Sequence, residues 1–186
     1  PEACGFAYRY SHFKGPWRGR FLITAVVFRL PRQPSLVTHY PGVLQAVERI
    51  GALNLGNLRR AIAAIRQAKL PDPVRLGNAG SFFKNPVVSR LQRDRLRSDF
   101  PDLPCYPQGG KGFKLAAAWL IEKCGWKGRA VGNAAVHEHQ ALVLVNRGGA
   151  TGREIFDLSE AVRRSVRDTF GVDLEREVQV VGPQAI

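Results

Sequence analysis

One ten-residue segment, 77–86, carries the side chains best suited to chemistry: it reads Gly-Asn-Ala-Gly-Ser-Phe-Phe-Lys-Asn-Pro. Its glycines can adopt backbone angles that other residues avoid, and they let the main chain approach a ligand closely. If the segment is extended, Ser81, Phe83 and Asn85 share one face and Lys84 lies on the other. The pattern therefore predicts a polar-ligand site, although spacing alone favours a glycine turn that enters a strand.

Three side chains could act on a ligand bound there. A serine hydroxyl donates a proton efficiently only where its surroundings polarise it, so Ser81 also suits a structural serine in a strand. Arg9 could stabilise negative charge that develops during a reaction, and its alternative is a surface arginine. Without further information, Glu177 is best interpreted as a solvent-facing carboxylate.

The histidines of His137-Glu138-His139 would share one face of an extended segment, where two imidazoles could hold a metal ion. No third ligand is evident nearby in the sequence, and we therefore expect no metal. The cysteines number three and lack C-x-x-C spacing, which argues against a disulfide framework and favours a reduced compartment.

The net charge is +13, with 28 lysines and arginines against 15 aspartates and glutamates. A basic nucleic-acid-binding module is one interpretation of this charge. Attraction of anionic small molecules, such as a nucleoside diphosphate or a phosphorylated nicotinamide cofactor, is the other. Because the basic residues are scattered and no nucleic-acid motif is present, we expect no nucleic-acid partner. No apolar run reaches the ~18–20 residues that a membrane span needs, so we expect no membrane partner either.

The order of the predicted elements is that of an α+β protein. Apolar residues at helical spacing predict helices over 55–68 and from the capping box Thr151–Glu154 to Gly171. Ser89 as N-cap predicts a basic helix over 89–99, and an apolar run predicts a short helix over 114–124. Apolar and β-branched runs predict strands over 20–30, 141–145 and 172–181, with a loop over 101–113. In the last strand Arg176 shares a face with Leu174, and Glu177 lies on the opposite face.

The sequence of residues 77–86 resembles the signature of the UDP-N-acetylenolpyruvoylglucosamine reductase family, flavoenzymes of bacterial peptidoglycan precursor synthesis. Further motifs occur in the family's order and span nearly the whole chain. They are Lys69-Leu70-Pro71-Asp72-Pro73, Tyr106-Pro107-Gln108, Lys114-Leu115-Ala116-Ala117, Trp119-Leu120-Ile121, Ala134-Ala135-Val136-His137, Gln140-Ala141-Leu142-Val143-Leu144 and Leu174-Glu175-Arg176-Glu177-Val178.

The resemblance implies roles for individual residues. Ser81 would be the proton donor, and Glu177 and Arg9 would stabilise or polarise the intermediate. Tyr8 would contact the cofactor. The substrate-binding residues would be Tyr40, Lys69, Asn85, Tyr106, Lys114 and Gln140. Gln179 departs from the arginine of some family members, which puts one secondary contact in doubt.

The resemblance also implies two cofactors, FAD and NADPH, and the substrate UDP-N-acetylglucosamine enolpyruvate. The implied protein is a bacterial, cytoplasmic monomer. Its fold would comprise the C-terminal part of an FAD-binding domain of the vanillyl-alcohol-oxidase type (1–70 and 172–186) and an inserted substrate-binding domain (71–171). The match is to the C-terminal part of the family, and the chain contains no methionine. We therefore expect a fragment that lacks the N-terminal FAD-binding part, retains FAD poorly and is inactive alone.

Overall fold

The fold was obtained as a computed structural model, which describes residues 2–110 and 112–182. Within these residues the helices are α1 (Val43–Glu48), α2 (Leu55–Lys69), α3 (Arg90–Asp99), α4 (Ala117–Lys123) and α5 (Gly152–Phe170), besides two short 3-10 helices, Glu2–Cys4 and His12–Lys14. The strands are β1 (Gly77–Ser81), β2 (Val87–Val88), β3 (Cys105–Pro107), β4 (Phe113–Leu115), β5 (Ala130–Val131), β6 (Ala134–Val136) and β7 (Val143–Asn146). The mixture of helices and antiparallel strands confirms the α+β class.

The predicted helix ends are set by side chains that bond free backbone groups. Ser89 Oγ accepts the N–H of Gln92 at the start of α3, as predicted. The capping box at the start of α5 is confirmed, because Thr151 and Glu154 bond each other's backbone N–H groups at 3.2 and 2.8 Å. Gly171 ends α5 in the left-handed conformation.

Two antiparallel sheets and α5 enclose the main core. The larger sheet has the strand order β1-β7-β6-β5 and the smaller one β2-β4-β3. Side chains from both sheets, α4 and α5 meet in one apolar cluster, whose most deeply buried members include Phe83, Leu115, Leu120, Ile121, Val136, Val162, Val166 and Leu174. This core holds both ends of the candidate site.

Helices α1 and α2 form a separate apolar cluster of Val43, Val47, Leu58 and Ala61. The chain then crosses to the larger sheet, where Leu70 and Leu76 pack against the face formed by Ala135, Val143 and Val145. No helix in the described part of the chain combines the length and apolarity of a membrane span.

The predicted strand over 20–30 is wrong. The segment forms no regular structure, and every residue from Phe21 to Leu30 is exposed to solvent. A strand requires partners for its backbone groups and cover for its apolar side chains. Within residues 2–110 and 112–182 this segment finds neither, even though its composition is typical of a buried strand.

Two other predicted boundaries need correction. The predicted loop over 101–113 contains β3 and the first residue of β4, and the predicted helix over 114–124 begins only at Ala117. Periodicity cannot separate a short buried strand from the first turn of an apolar helix. Here Phe113–Leu115 pairs with strands on both sides, which decides in favour of the strand.

The predicted strand over 172–181 is replaced by extended chain with a single bridge, Phe83 to Arg176. Its alternation is nevertheless confirmed near the core, since Val172 and Leu174 are buried while Asp173 and Glu175 are exposed. Residues 183–186, the end of the predicted returning strand, lie outside the described residues, as does Pro1.

Strand β1 contains a bulge immediately before Ser81. Asn78 is the partner of Val145, whereas Ser81 is the partner of Val143, so the two strands advance unequally. Gly80 lies within the bulge with a φ of 71°, and its N–H donates to Asn78 Oδ1 at 3.0 Å. Bulges bend a strand and change the direction of neighbouring side chains. Strict alternation beyond Ser81 is also lost, because Phe82 and Phe83 are both buried.

Substitution of Gly80 by alanine tests the bulge. The added methyl group would meet no atom within 4 Å, so the cost comes from the left-handed backbone alone. We expect Gly80→Ala to lower the free energy of unfolding by about 1–2 kcal/mol, measured by urea denaturation. Gly77→Ala is the matched control, since its new Cβ makes an ordinary 3.5 Å contact with Asn146. Equal stability of the two variants would contradict the bulge.

The capping box of α5 predicts a pH-dependent contribution to stability. The backbone N–H of Thr151 lowers the pKa of Glu154, and the Thr151 hydroxyl adds to this. A carboxyl whose pKa is lower when folded stabilises the fold above its unfolded value and loses this effect as pH falls through the folded value. Glu154→Gln should therefore destabilise the protein at pH 7 and match the unsubstituted protein in acid. Equal effects of Glu154→Gln at pH 7 and in acid, measured by urea denaturation, would contradict this contribution.

Candidate active site

The segments that carry the predicted catalytic residues Ser81 and Glu177 are joined by main-chain pairing. The N–H of Glu177 donates to the carbonyl of Phe82 at 2.9 Å, and the N–H of Lys84 donates to the carbonyl of Glu175 at 2.9 Å. These bonds flank the Phe83–Arg176 bridge. Glu177 therefore lies across from the residue that follows Ser81, although the two are far apart in sequence.

Gln140 joins this group through the turn that leads into β7. The N–H of Phe82 donates to the carbonyl of Leu142 at 2.7 Å, and Gln140 Oε1 accepts the N–H of Leu142 at 3.3 Å. The turn and the end of β1 thus meet beside the exposed Ser81. This contact brings the predicted substrate glutamine to the serine end of the site.

Arg9 reaches the site from a tight turn in the N-terminal segment. Ala7 and Tyr10 exchange two backbone hydrogen bonds, of 3.0 and 3.2 Å, and enclose Tyr8 and Arg9 between them. Arg9 has a φ of 55°, which is unusual for a residue other than glycine. Its guanidinium pairs with Glu177 Oε1 at 2.8 Å. Such strained conformations concentrate at functional sites, where surrounding contacts hold them.

Tyr8 and Lys114 form a second link between the N-terminal segment and the rest of the candidate site. The Lys114 ammonium lies 5.1 Å from the centre of the Tyr8 ring, within the range of a cation–π contact. Lys114 is the central residue of β4 and is paired with Val87 on one side and Tyr106 on the other. The predicted substrate residues Tyr106 and Lys114 are therefore neighbours, and Tyr8 lies close to them.

Asn85 has a structural contact that the sequence did not reveal. Its Oδ1 accepts the N–H of Ala117 at 2.9 Å and so caps α4, whose own N-cap residue, Ala116, supplies no side-chain bond. A side chain from a distant segment thus replaces a local cap. The Asn85 amide NH₂ remains as a donor for a ligand.

Tyr40 and Lys69 are not joined to this group. The Tyr40 ring stacks on His39 at 5.2 Å in the loop before α1, and Lys69 is the last residue of α2. Within the described residues, no hydrogen bond, ion pair or ring contact links either side chain to the other predicted site residues. Their substrate contacts stay predictions.

The histidine pair lines a separate cavity of about 1040 Å³ next to Gly80. The rings of His137 and His139 are 5.5 Å apart, and burial followed by the charge of His139 lowers the pKa of His137. Among the described residues no three histidine, cysteine or acidic side chains are grouped as metal ligands.

Sequence reasoning placed Arg176 on the apolar face but gave it no role. Its guanidinium contacts three side chains of α5: Nε donates to Ser159 Oγ at 2.9 Å, the terminal nitrogen pairs with Glu160, and the group lies 4.3 Å from the Phe156 ring. The signal in the sequence was a charged residue that interrupts an alternating apolar face.

The assembled site combines a hydroxyl, a carboxylate and two cations. Arg9 and Lys114 supply positive charge, and Glu177 is partly screened from solvent, with a side-chain exposure of 21%. Arginine and lysine bind carboxylate and phosphate groups, and a paired carboxylate can orient or exchange a proton. The arrangement suits an anionic, oxygen-rich ligand that undergoes proton transfer near Ser81.

Asn85 variants can separate capping from ligand binding. Asn85→Ala should lower the free energy of unfolding by about 0.5–2 kcal/mol, because the α4 cap is lost. Asn85→Asp keeps an acceptor at this helix N-terminus and should preserve most of the stability, while it removes the NH₂ donor. Thermal denaturation and UDP-sugar titration of both variants would check this. A stable alanine variant would contradict the capping role.

Comparisons with known proteins show the family of this chain. The family model for the C-terminal domain of UDP-N-acetylenolpyruvoylglucosamine reductase matches residues 72–181. Reductases of that name from Burkholderia ambifaria (strain MC40-6) and Burkholderia cenocepacia (strain HI2424) are 53% and 54% identical over 178 residues. Each alignment covers 94% of this chain and 51% of the relative, so the chain spans about half the length of these relatives. The chain belongs to the UDP-N-acetylenolpyruvoylglucosamine reductase family.

Proposed function

We propose that this chain carries the substrate-binding and catalytic side of a UDP-N-acetylenolpyruvoylglucosamine reductase. The reaction is the NADPH-dependent reduction of UDP-N-acetylglucosamine enolpyruvate to UDP-N-acetylmuramate, a cytoplasmic step of bacterial peptidoglycan precursor synthesis. The chain would work with an FAD-binding region, whose length would be about that by which its relatives exceed this chain. It would be inactive without that region. The enzyme would be a monomer.

One observation carries the proposal. Glu177, ion-paired with Arg9, lies across the main chain from Phe82, the residue that follows Ser81. A reductase of an enolpyruvyl group must hold a carboxylate, tolerate developing negative charge and deliver one proton to carbon. An arginine, a carboxylate and a hydroxyl in one place supply these functions.

The roles of the residues follow from the charge that the reaction creates. Addition of hydride to the terminal carbon of the double bond leaves negative charge on the neighbouring carbon and its carboxylate. Arg9 would stabilise that charge, and Ser81 would donate the proton that completes the reduced side chain. Glu177 would hold Arg9 and polarise the intermediate. Each role acts chiefly in the transition state, which is where binding energy accelerates a reaction.

The cofactor site is proposed to be shared between this chain and the FAD-binding region. Bound FAD would supply the hydride, which it receives from NADPH. Tyr8 offers an exposed aromatic ring beside Arg9 and Lys114, and this fits contact with a flavin ring. The sequence contains no glycine-rich pyrophosphate loop, so the phosphate contacts would come from the other region.

The domain boundaries are proposed accordingly. Residues 71–171 would be the substrate-binding domain, and 1–70 with 172–186 would belong to an FAD-binding domain of the vanillyl-alcohol-oxidase type. The separate apolar cluster of α1 and α2 supports the first boundary. Substrate contacts are proposed for Asn85, Tyr106, Lys114 and Gln140 near the site, and for Tyr40 and Lys69 from the N-terminal part.

A nucleic-acid-binding module is not favoured. Several arginines are already engaged with acidic side chains: Arg163 pairs with Glu160 at 2.7 Å and Arg93 with Asp94 at 2.7 Å. The basic residues are also scattered along the sequence, so they form no continuous basic stripe, which a phosphate backbone would require. The family match gives a substrate-based reason for basic residues instead.

Ser81→Ala tests the proton-donor role, in the chain joined to its FAD-binding region. Reduction of the flavin by NADPH should be nearly unchanged, because that half-reaction does not need the serine. Reoxidation by UDP-N-acetylglucosamine enolpyruvate should slow by roughly 10²- to 10⁴-fold, as expected for loss of a general acid. Stopped-flow absorbance of the flavin measures both half-reactions.

Ser98→Ala, a substitution on the exposed side of α3, is the matched control and should leave both rates unchanged. Equal slowing of both half-reactions by Ser81→Ala would make Ser81 structural and reject its proposed role. Absence of any enolpyruvyl reduction in the unsubstituted protein would reject the proposed function.

A further inference from the structure

The Arg176 side chain is anchored in a polar cluster under α5. Ser159, which accepts from Arg176 Nε, is itself fully buried and donates to the Phe156 carbonyl at 2.6 Å. Glu160 pairs with Arg176 and also with the terminal nitrogen of Arg163, at 2.7 Å. The guanidinium is thus fixed by charge, by a neutral hydrogen bond and by an aromatic face.

The same helix also holds the main chain of the segment. Arg163 Nε donates to the carbonyl of Leu174 at 2.8 Å. Helix α5 therefore contacts residues 174 and 176, which point toward it, while residues 175 and 177 point away. Leu174 is buried in the main core and Glu175 is exposed, as this alternation requires.

Outside these contacts the segment is held by the Lys84–Glu175 and Arg167–Asp173 ion pairs and by burial of its apolar residues, but not by continuous strand pairing. It forms one bridge to Phe83 rather than a continuous strand, with two flanking hydrogen bonds. A slip of one residue in an extended segment moves every side chain to the opposite face. Such a slip would place Glu177 under α5 and Arg176 beside Arg9, where two like charges repel.

We propose that Arg176 is a positioning residue, which fixes the register of 174–177 through Glu160 and Arg163 and thereby directs Glu177 toward Arg9 and Ser81. Its consequence for turnover rests on the proposed reductase function. Buried charged groups are best attested in specifying register rather than in adding stability. The cluster fits this use, because Arg176 and Arg163 share the Glu160 carboxylate and its geometry selects one alternation of the segment.

The test replaces Arg176 by methionine, which retains an apolar stem over Phe156 but removes the charge. Arg167→Met is the matched control, since Arg167 also joins α5 to this segment through Asp173, but on the exposed surface. Amide hydrogen exchange is followed at Glu177 and Lys84, whose N–H groups form the two flanking bonds. Exchange at both should accelerate more than about tenfold in Arg176→Met and remain unchanged in Arg167→Met.

Half-reaction kinetics give the second readout, in the chain joined to its FAD-binding region. Arg176→Met should lower kcat for enolpyruvyl reduction by about 10- to 100-fold, because small displacements of catalytic groups are that costly. KM and flavin reduction by NADPH should change little, and Arg176→Lys should recover part of kcat. Glu160→Gln should show the same pattern more weakly, and it replaces Arg176→Met as the test variant if the methionine variant does not fold.

Unchanged exchange at Glu177 and Lys84, or equal effects of Arg176→Met and Arg167→Met, would overturn the register role. Accelerated exchange with normal kcat would overturn the positioning of Glu177 for reaction. Exchange decides the register claim even if the unsubstituted protein reduces no enolpyruvyl substrate, a result that would overturn the proposed function alone.

Discussion

Two backbone hydrogen bonds between 82–84 and 175–177 connect the two ends of the candidate site. They form between the segment that follows β1 and the segment that follows α5, so they depend on the positions of both elements. Phe83 anchors one side in the core with 1% exposure, and Arg176 anchors the other under α5. A loop of this length is costly to close, and the closure is stabilised by the apolar core that it completes.

Two backbone irregularities lie beside this connection. Gly80 forms a bulge before Ser81, and Arg9 holds a left-handed conformation in the turn that reaches Glu177. Departures from local preference at a few positions are what a functional site requires, because reactive side chains must converge rather than alternate.

Helices α2, α3 and α5 could be predicted because their signals are local. Each begins at a capping side chain, α2 and α5 add apolar periodicity, and Thr151–Glu154 is a complete box in the sequence. The family resemblance predicted the site residues, and the structure places most of them near one another, while their roles stay predictions. Neither source indicated that Asn85 caps α4, since that bond joins residues in different elements.

The segments 20–30 and 172–181 show why the remaining predictions failed. Both have strand-like composition, but a strand is a relation between segments, and composition does not reveal whether a partner is present. The first lies exposed without a partner among the described residues, and the second makes one bridge. Strand β4 was mistaken for helix because a three-residue strand is too short to show a period.

The pairing of Phe83 with Arg176 is the central structural claim, and a nuclear Overhauser measurement tests it directly. The flanking hydrogen bonds make these two residues a non-hydrogen-bonded antiparallel pair, whose Cα atoms are typically about 4.5 Å apart. A strong cross-peak between the α-protons of Phe83 and Arg176 is therefore predicted. Its absence, with cross-peaks from Glu177 to residues remote from Phe82, would contradict the account.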